Sequence, residues 1–162
     1  ELVGQGVVPF RMSQPHQIAV LTDFCNECGN CVTACPTSGK PYEDKPRLYL
    51  NEDEFDAQAT NAFMVRSSGD LMTVLGRFDG ETHQLSINGS VAYMGPDIEA
   101  VFDDGFDVVS VTPTDPAKDR DRLSLEPAAV MYALWSGLAT SMPELPIAAT
   151  AGTRIPAPIL PS

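Results

Sequence analysis

The sequence predicts an α+β chain: a small cysteine-bearing segment, then a small antiparallel β-meander with one or two helices. Three observations predict it. All four cysteines fall between Cys25 and Cys35. Two alternating runs, Leu71 to Phe78 and Glu81 to Ile87, flank Asp79-Gly80, a strong short-range hairpin signal. Ala128 to about Ser141 repeats apolar residues at helical spacing. The expected division is a cysteine-bearing segment at 1–47, a small α+β domain with the meander at 48–122, and a C-terminal helix with a Pro-rich tail at 123–162.

Composition bounds the function classes. The chain has 162 residues, 43% of them hydrophobic and 20% charged, which is too apolar for a largely disordered polymer. Twenty-two acidic against 10 basic side chains give a net charge of -12. Such a field repels a phosphate backbone, so nucleic acid is not an expected partner. No apolar run approaches the ~18 residues a membrane span needs, and the start, Glu1 to Phe10, lacks the plan of a secretory signal. A chain opening on Glu1 is expected to be a processed product or a piece of something longer.

Taken in order, Gln17 to Leu21 reads as a short β-branched strand delivering the chain into the cysteine loop. Gly39 to Tyr42 is turn chemistry, and Arg47 to Leu50 resumes a strand-like alternation. The acidic run Asn51 to Glu54, with Asp56, reads as a solvated face. Beyond the hairpin, Asn88-Gly89 offers a second turn before Val91 to Met94. Pro96-Asp97 is expected to open a short amphipathic helix, with Ile98, Val101 and Phe102 on one face. Asp107 to Val111 reads as another strand and Thr112 to Arg122 as an exposed linker. The last helix starts near Ser124 or Leu125, with Pro127 in its first turn. Its stripe of Met131, Leu134, Trp135 and Leu138 is expected to pack on the meander. The tail, with Pro156, Pro158 and Pro161, reads as extended.

The chemistry sits in Cys25-Asn-Glu-Cys28-Gly-Asn-Cys31-Val-Thr-Ala-Cys35-Pro36. Disulfides across such short gaps would close almost no loop. Zinc is a better alternative, but its sites usually separate two cysteine pairs by a longer insertion. The spacing C-x2-C-x2-C-x3-C-P is the ferredoxin-like run that holds four-iron, four-sulfur (4Fe-4S) clusters. Two-residue gaps let Cys25, Cys28 and Cys31 reach three iron corners of one cubane. Gly29 permits a tight path between them, and Asn26 and Asn30 tolerate left-handed backbone. In two-cluster ferredoxins the fourth cysteine of this run ligates the other cluster. Cys35 therefore either folds back on one site or serves a second cluster whose missing ligands lie on another segment.

The blocks Cys25-Asn26-Glu27-Cys28-Gly29-Asn30-Cys31, Cys35-Pro36 and Gly39-Lys40-Pro41-Tyr42-Glu43-Asp44-Lys45 carry a further likeness. From Gln17 to Lys45 the chain resembles the C-terminal ferredoxin-like part of the selenate reductase iron-sulfur flavoprotein family, with a looser likeness to about Val111. Those are large bacterial cytoplasmic oxidoreductases whose flavin and NADPH portion is similar to the small subunit of glutamate synthase. The resemblance implies a 4Fe-4S cluster here and FAD and NADPH on associated segments. It also implies an upstream cysteine-rich motif, which this chain lacks. Thr37 stands where the family tends to place tryptophan, and Glu43 where lysine is usual.

Other candidates are weaker. His16 and His83 have no metal-ligand spacing, although His16 lies near enough in sequence to tune a cluster. Gly4-Gln-Gly6 is not followed by a helix signature, so a dinucleotide fingerprint is unsupported. The carboxylates form no acid/base pair, and no catalytic residue is expected. Lys40, Lys45 and Arg47 place positive charge by the cysteine loop, to offset cluster charge or dock a partner, and Phe24, Val32 and Ala34 are expected to exclude water. The expected role is an electron-transfer segment of a larger cytoplasmic oxidoreductase, partnered by a flavoprotein or an upstream cysteine-rich segment and by other subunits of that enzyme. The alternative is a structural metal module, holding zinc or a redox-silent cluster, that serves protein-protein interaction.

Overall fold

Turn chemistry sets the topology of the central sheet. The computed structural model describes residues 18–115 and 123–143 and the backbone of 148–149. Strand β3 (Ala62–Ser68) turns at Gly69-Asp70 into β4 (Leu71–Phe78). Asp79-Gly80, both with positive φ, then reverses the chain into β5 (Glu81–Asn88). This is the two-residue hairpin turn whose twist matches that of the paired strands. A tight turn at Gly89 leads to β6 (Ser90–Met94), and β7 (Ile98–Phe102) and β8 (Val108–Pro113) complete an antiparallel meander.

Two short parallel strands extend the sheet on the other side. β1 (Val20–Leu21) pairs with β2 (Arg47–Leu48), which pairs with the start of β3. A further pair of residues, β9 (Ala148–Ala149), lies parallel to β3 at Arg66 and Ser67. The order among the described residues is β1-β2-β3-β4-β5-β6-β7-β8, with β9 joined to β3. One sheet thus runs from the cysteine-bearing segment into the meander, and β2 lies across the expected 47/48 boundary.

Hydrophobic burial falls on both faces of this sheet. On one, Val74, Leu85, Tyr93, Ile98, Ala100 and Phe102 pack beneath α4 (Glu126–Ser141), which inserts Ala128, Met131 and Leu134. The helix approaches closely at Gly76, where a Cβ would stand 3.1 Å from Met131 Sδ and 2.7 Å from the Phe78 ring. The expected stripe of α4 therefore does pack on the meander. Phe106 stacks between Phe102 and Tyr132, with centroids 4.3 and 4.1 Å away, joining the helix to the far strands. On the other face, Tyr49, Ala62 and Met64 pack with Phe55 of α3 (Glu52–Asp56).

The structure corrects two local expectations and gives a third, the solvated acidic run, a helical backbone. Ile98 to Phe102 is a strand, not a helix: Ile98, Ala100 and Phe102 are buried while Glu99 and Val101 are exposed, a period of two. The acidic run forms α3, because the Asn51 side chain accepts from the Asp53 and Glu54 backbone N–H groups and caps it. Its solvated acids flank the buried Phe55. Thr112 and Pro113, expected in a linker, belong to β8. His16, Gly4 to Gly6, the rest of that linker from Pro116 to Arg122 and the Pro-rich tail lie outside the described residues.

Candidate metal centre

The cysteine loop is tied to the sheet edge before it begins. The Val20 N–H donates to Pro46 O at 2.8 Å, and the Thr22 hydroxyl donates to Leu48 O at 3.0 Å. A single 3-10 turn, Thr22–Phe24, then passes the chain to Cys25 in extended backbone. Asn26 Oδ1 accepts from the Cys28 N–H at 3.3 Å, an Asx-type turn, and Glu27 adopts φ +52. Gly29 caps α1 (Asn30–Ala34), which carries Cys31 in its first turn and delivers Cys35 at its end.

The G-x-P-Y-x-D-K stretch closes the loop from below. Gly39 has φ +99, a conformation costly for any residue with a side chain. Space excludes one as well, since a Cβ there would lie 2.8 Å from Asp44 Oδ2. That same oxygen accepts from the Lys40 N–H at 2.7 Å, and Pro41 opens α2 (Pro41–Asp44) with its ring buried. Lys45 Nζ reaches back to Ser38 O at 2.7 Å, and Asn61 Nδ2 donates to Lys45 O at 2.7 Å. The sequence marks Gly39 to Tyr42 as a turn and the whole stretch as part of the family likeness, without these contacts. The stretch is a clamp whose partners lie four to 16 residues apart.

All four cysteines line one cavity of about 590 Å³. Leu21, Phe24, Ala34, Pro41 and Tyr42 contribute to its wall. Cys25 and Cys35 are half-buried, Cys28 and Cys31 exposed, and all four are free thiols. The expected water-excluding shell is more open than the sequence suggested, with Phe24 76% and Val32 40% exposed. Among the described residues no three His, Cys, Asp or Glu side chains converge closely enough to hold a single metal ion. The donor set nonetheless fits an iron-sulfur cluster, whose irons need thiolates and nothing harder. Cys35 has the most developed environment: its Sγ lies 3.3 Å from Thr37 Oγ1. Hydrogen bonds from Thr37, with a smaller contribution from the charge of Lys45, hold its thiol below the ordinary cysteine value.

Residues 18–38 match the family described as 4Fe-4S binding domain. The match indicates a 4Fe-4S cluster site. The chain is also 44% identical over 45 residues to "Putative oxidoreductase YgfK" of Escherichia coli (strain K12), and to the same degree to its counterpart in Escherichia coli O157:H7. That similarity takes in 28% of this chain and 4% of each relative, so the shared part is a small piece of a much longer protein. No solved structure matches the chain. Together the matches support an iron-sulfur electron-transfer role. Among the described residues no helix is long and apolar enough to cross a membrane.

Of the remaining candidates, His83 is buried in the sheet. Its Nδ1 lies 2.6 Å from the Tyr93 hydroxyl and its ring meets the Phe78 edge at 4.9 Å between centroids. Burial pushes its pKa down and raises that of Tyr93 to about 12. This is a satisfied core pair well along the sheet from the cysteine loop. Glu43 is spent on an ion pair with Lys40 at 2.8 Å.

Proposed function

We propose that this chain is the electron-transfer iron-sulfur segment of a larger oxidoreductase. The observation that carries the reading is the gathering of Cys25, Cys28, Cys31 and Cys35 on one cavity, within the stretch that matches the 4Fe-4S binding domain. Cys25, Cys28 and Cys31 are the proposed ligands of one cluster, and Cys35 either completes it or serves a second cluster shared with another segment. When bound, a 4Fe-4S cluster takes up and releases single electrons.

The chain's own residues prepare that site. Thr37 favours the thiolate of Cys35, and thiolate is the form that binds metal. The clamp around Gly39 and Asp44 holds the loop's exit. Cys28 and Cys31 stand on the solvent side, which is the face a redox partner would approach. The proposed relay runs between a flavin and NADPH module and a downstream acceptor, with FAD and NADPH held on associated segments and the assembly in the cytoplasm. The resemblance over Gln17 to Lys45 and the likeness to an oxidoreductase-named relative support this placement.

Anaerobic iron and sulfide quantitation, with EPR before and after dithionite, tests it. About four irons and four sulfides per chain, with a reduced-state signal, is the expected result for a self-contained relay. Substoichiometric iron rescued by an upstream cysteine-rich segment would assign a shared two-cluster site. Zinc without iron would overturn the redox reading.

A further inference from the structure

A second cavity, of about 440 Å³, adjoins the cysteine cavity and shares Val20, Cys25, Glu27 and Tyr42 with it. Its lining also includes Arg47, Tyr49 and Gln58. Arg47 sits on β2 and is held in place from two sides. Its Nη2 donates to Thr60 O at 3.1 Å, and its guanidinium carbon lies 6.0 Å from the centre of the Tyr49 ring. Its Nε is buried and has no hydrogen-bond partner among the described residues.

The other two cations near the loop are differently used. Lys40, an exposed residue, pairs with Glu43, and Lys45, half-buried like Arg47, donates to the Ser38 carbonyl. The cavity also holds Glu27 and Glu54, of opposite sign to Arg47, but both are exposed side chains whose charge water screens. Lys45 acts by its charge on Cys35, whereas Arg47 lines a cavity that Cys25 also lines and keeps one guanidinium nitrogen buried.

We propose that Arg47 sets the reduction equilibrium of the cysteine site, acting as a fixed positive charge on the cavity that Cys25 also lines. The inference rests on the electron-transfer reading. One-electron reduction adds one negative charge to the site, and a nearby cation favours the more negative state. A guanidinium stays charged at every accessible pH, so the bias is constant. Because β2 and the Tyr49 ring hold it, little rearrangement accompanies the electron's arrival.

The test is an anaerobic, EPR-monitored redox titration of the cluster-loaded full chain. Arg47→Gln is expected to lower the equilibrium constant for reduction about tenfold, which for one electron is ~59 mV. Arg47→Lys keeps the charge and is expected to keep most of the equilibrium. Gln58→Glu, isosteric and on the same cavity wall, adds an opposing charge and is expected to shift it in the same direction as Arg47→Gln. An unshifted Arg47→Gln overturns the proposal. So does Arg47→Lys falling as far as Arg47→Gln, because shape and not charge would then be responsible. Should Arg47→Gln fail to keep a cluster, Gln58→Glu decides, and an unchanged potential there overturns the proposal. A wild-type chain that takes zinc and no iron would defeat the electron-transfer reading and this inference with it, whereas loaded variants with wild-type potentials defeat this inference alone.

Discussion

The contact between Gly76 and Met131 makes a size-exchange cycle with a calculable outcome. Met131 is fully buried on α4, and its sulfur faces Gly76, a strand position with no side chain. Met131→Ala leaves a cavity whose neighbours, Gly76 and Ala128, are too small to refill it, so a loss of ~3 kcal/mol is expected within the usual range for such truncations. Gly76→Ala forces a methyl to 3.1 Å from that sulfur and 2.7 Å from the Phe78 ring, and overpacking of this kind costs ~2 kcal/mol. If the two sites were independent, the double variant would lose ~5 kcal/mol. They are not independent, because the methyl enters space that the truncation vacates, while the Phe78 clash remains. The double variant is therefore expected to recover ~1 kcal/mol of the sum. Urea unfolding of all four proteins reads this directly: at a slope of ~2 kcal/mol per molar, the recovery is a midpoint difference of about 0.5 M. Additivity within ~0.3 kcal/mol would refute the claim that helix and sheet meet at this point.

Further expectations concern the site and the buried histidine. Thr37→Val removes the strongest influence holding the Cys35 thiol low, so the pH midpoint for its alkylation in the metal-free chain should move upward; mass spectrometry of the labelled peptide would detect an unmoved midpoint. Cys28→Ser should abolish or severely reduce iron incorporation, and full iron content with normal redox behaviour would remove Cys28 from the ligand set. His83 is harder to protonate folded than unfolded, so its contribution to stability is intact above about pH 6.5, the ordinary histidine value, and declines as pH falls below it. Comparing urea midpoints from pH 8 to pH 5 for wild type and His83→Asn should show a steeper acid loss in the wild type; parallel curves would assign that loss to other groups.

The cysteine run was legible because its chemistry is local. Ligand identity, two-residue gaps, a glycine between cysteines and a following proline are all written within residues 25–36, and the family match falls on the same stretch. The hairpin at Asp79-Gly80 and helix α4 were legible for the same reason: a turn dipeptide and a 3.6-residue period need no distant partner to be recognised. Strand β3 was not. Phe63 and Val65 pack on one face and Ala62 and Met64 on the other, so no alternation of polar and apolar residues marks it. The Ile98 to Phe102 stretch admitted either period, and pairing with β6 and β8 selected the strand.

By itself, then, the sequence determined which atoms are available to bind metal and the order in which the chain presents them. Tertiary structure decided what surrounds those atoms. The Asn61 bond to Lys45 O and the cavity that Arg47 shares with Cys25 join residues far apart along the chain. Such contacts arise from strand pairing at β1, β2 and β3. No local pattern encodes them, because a hydrogen bond or a charge acts through space and the residues in between leave no trace of it.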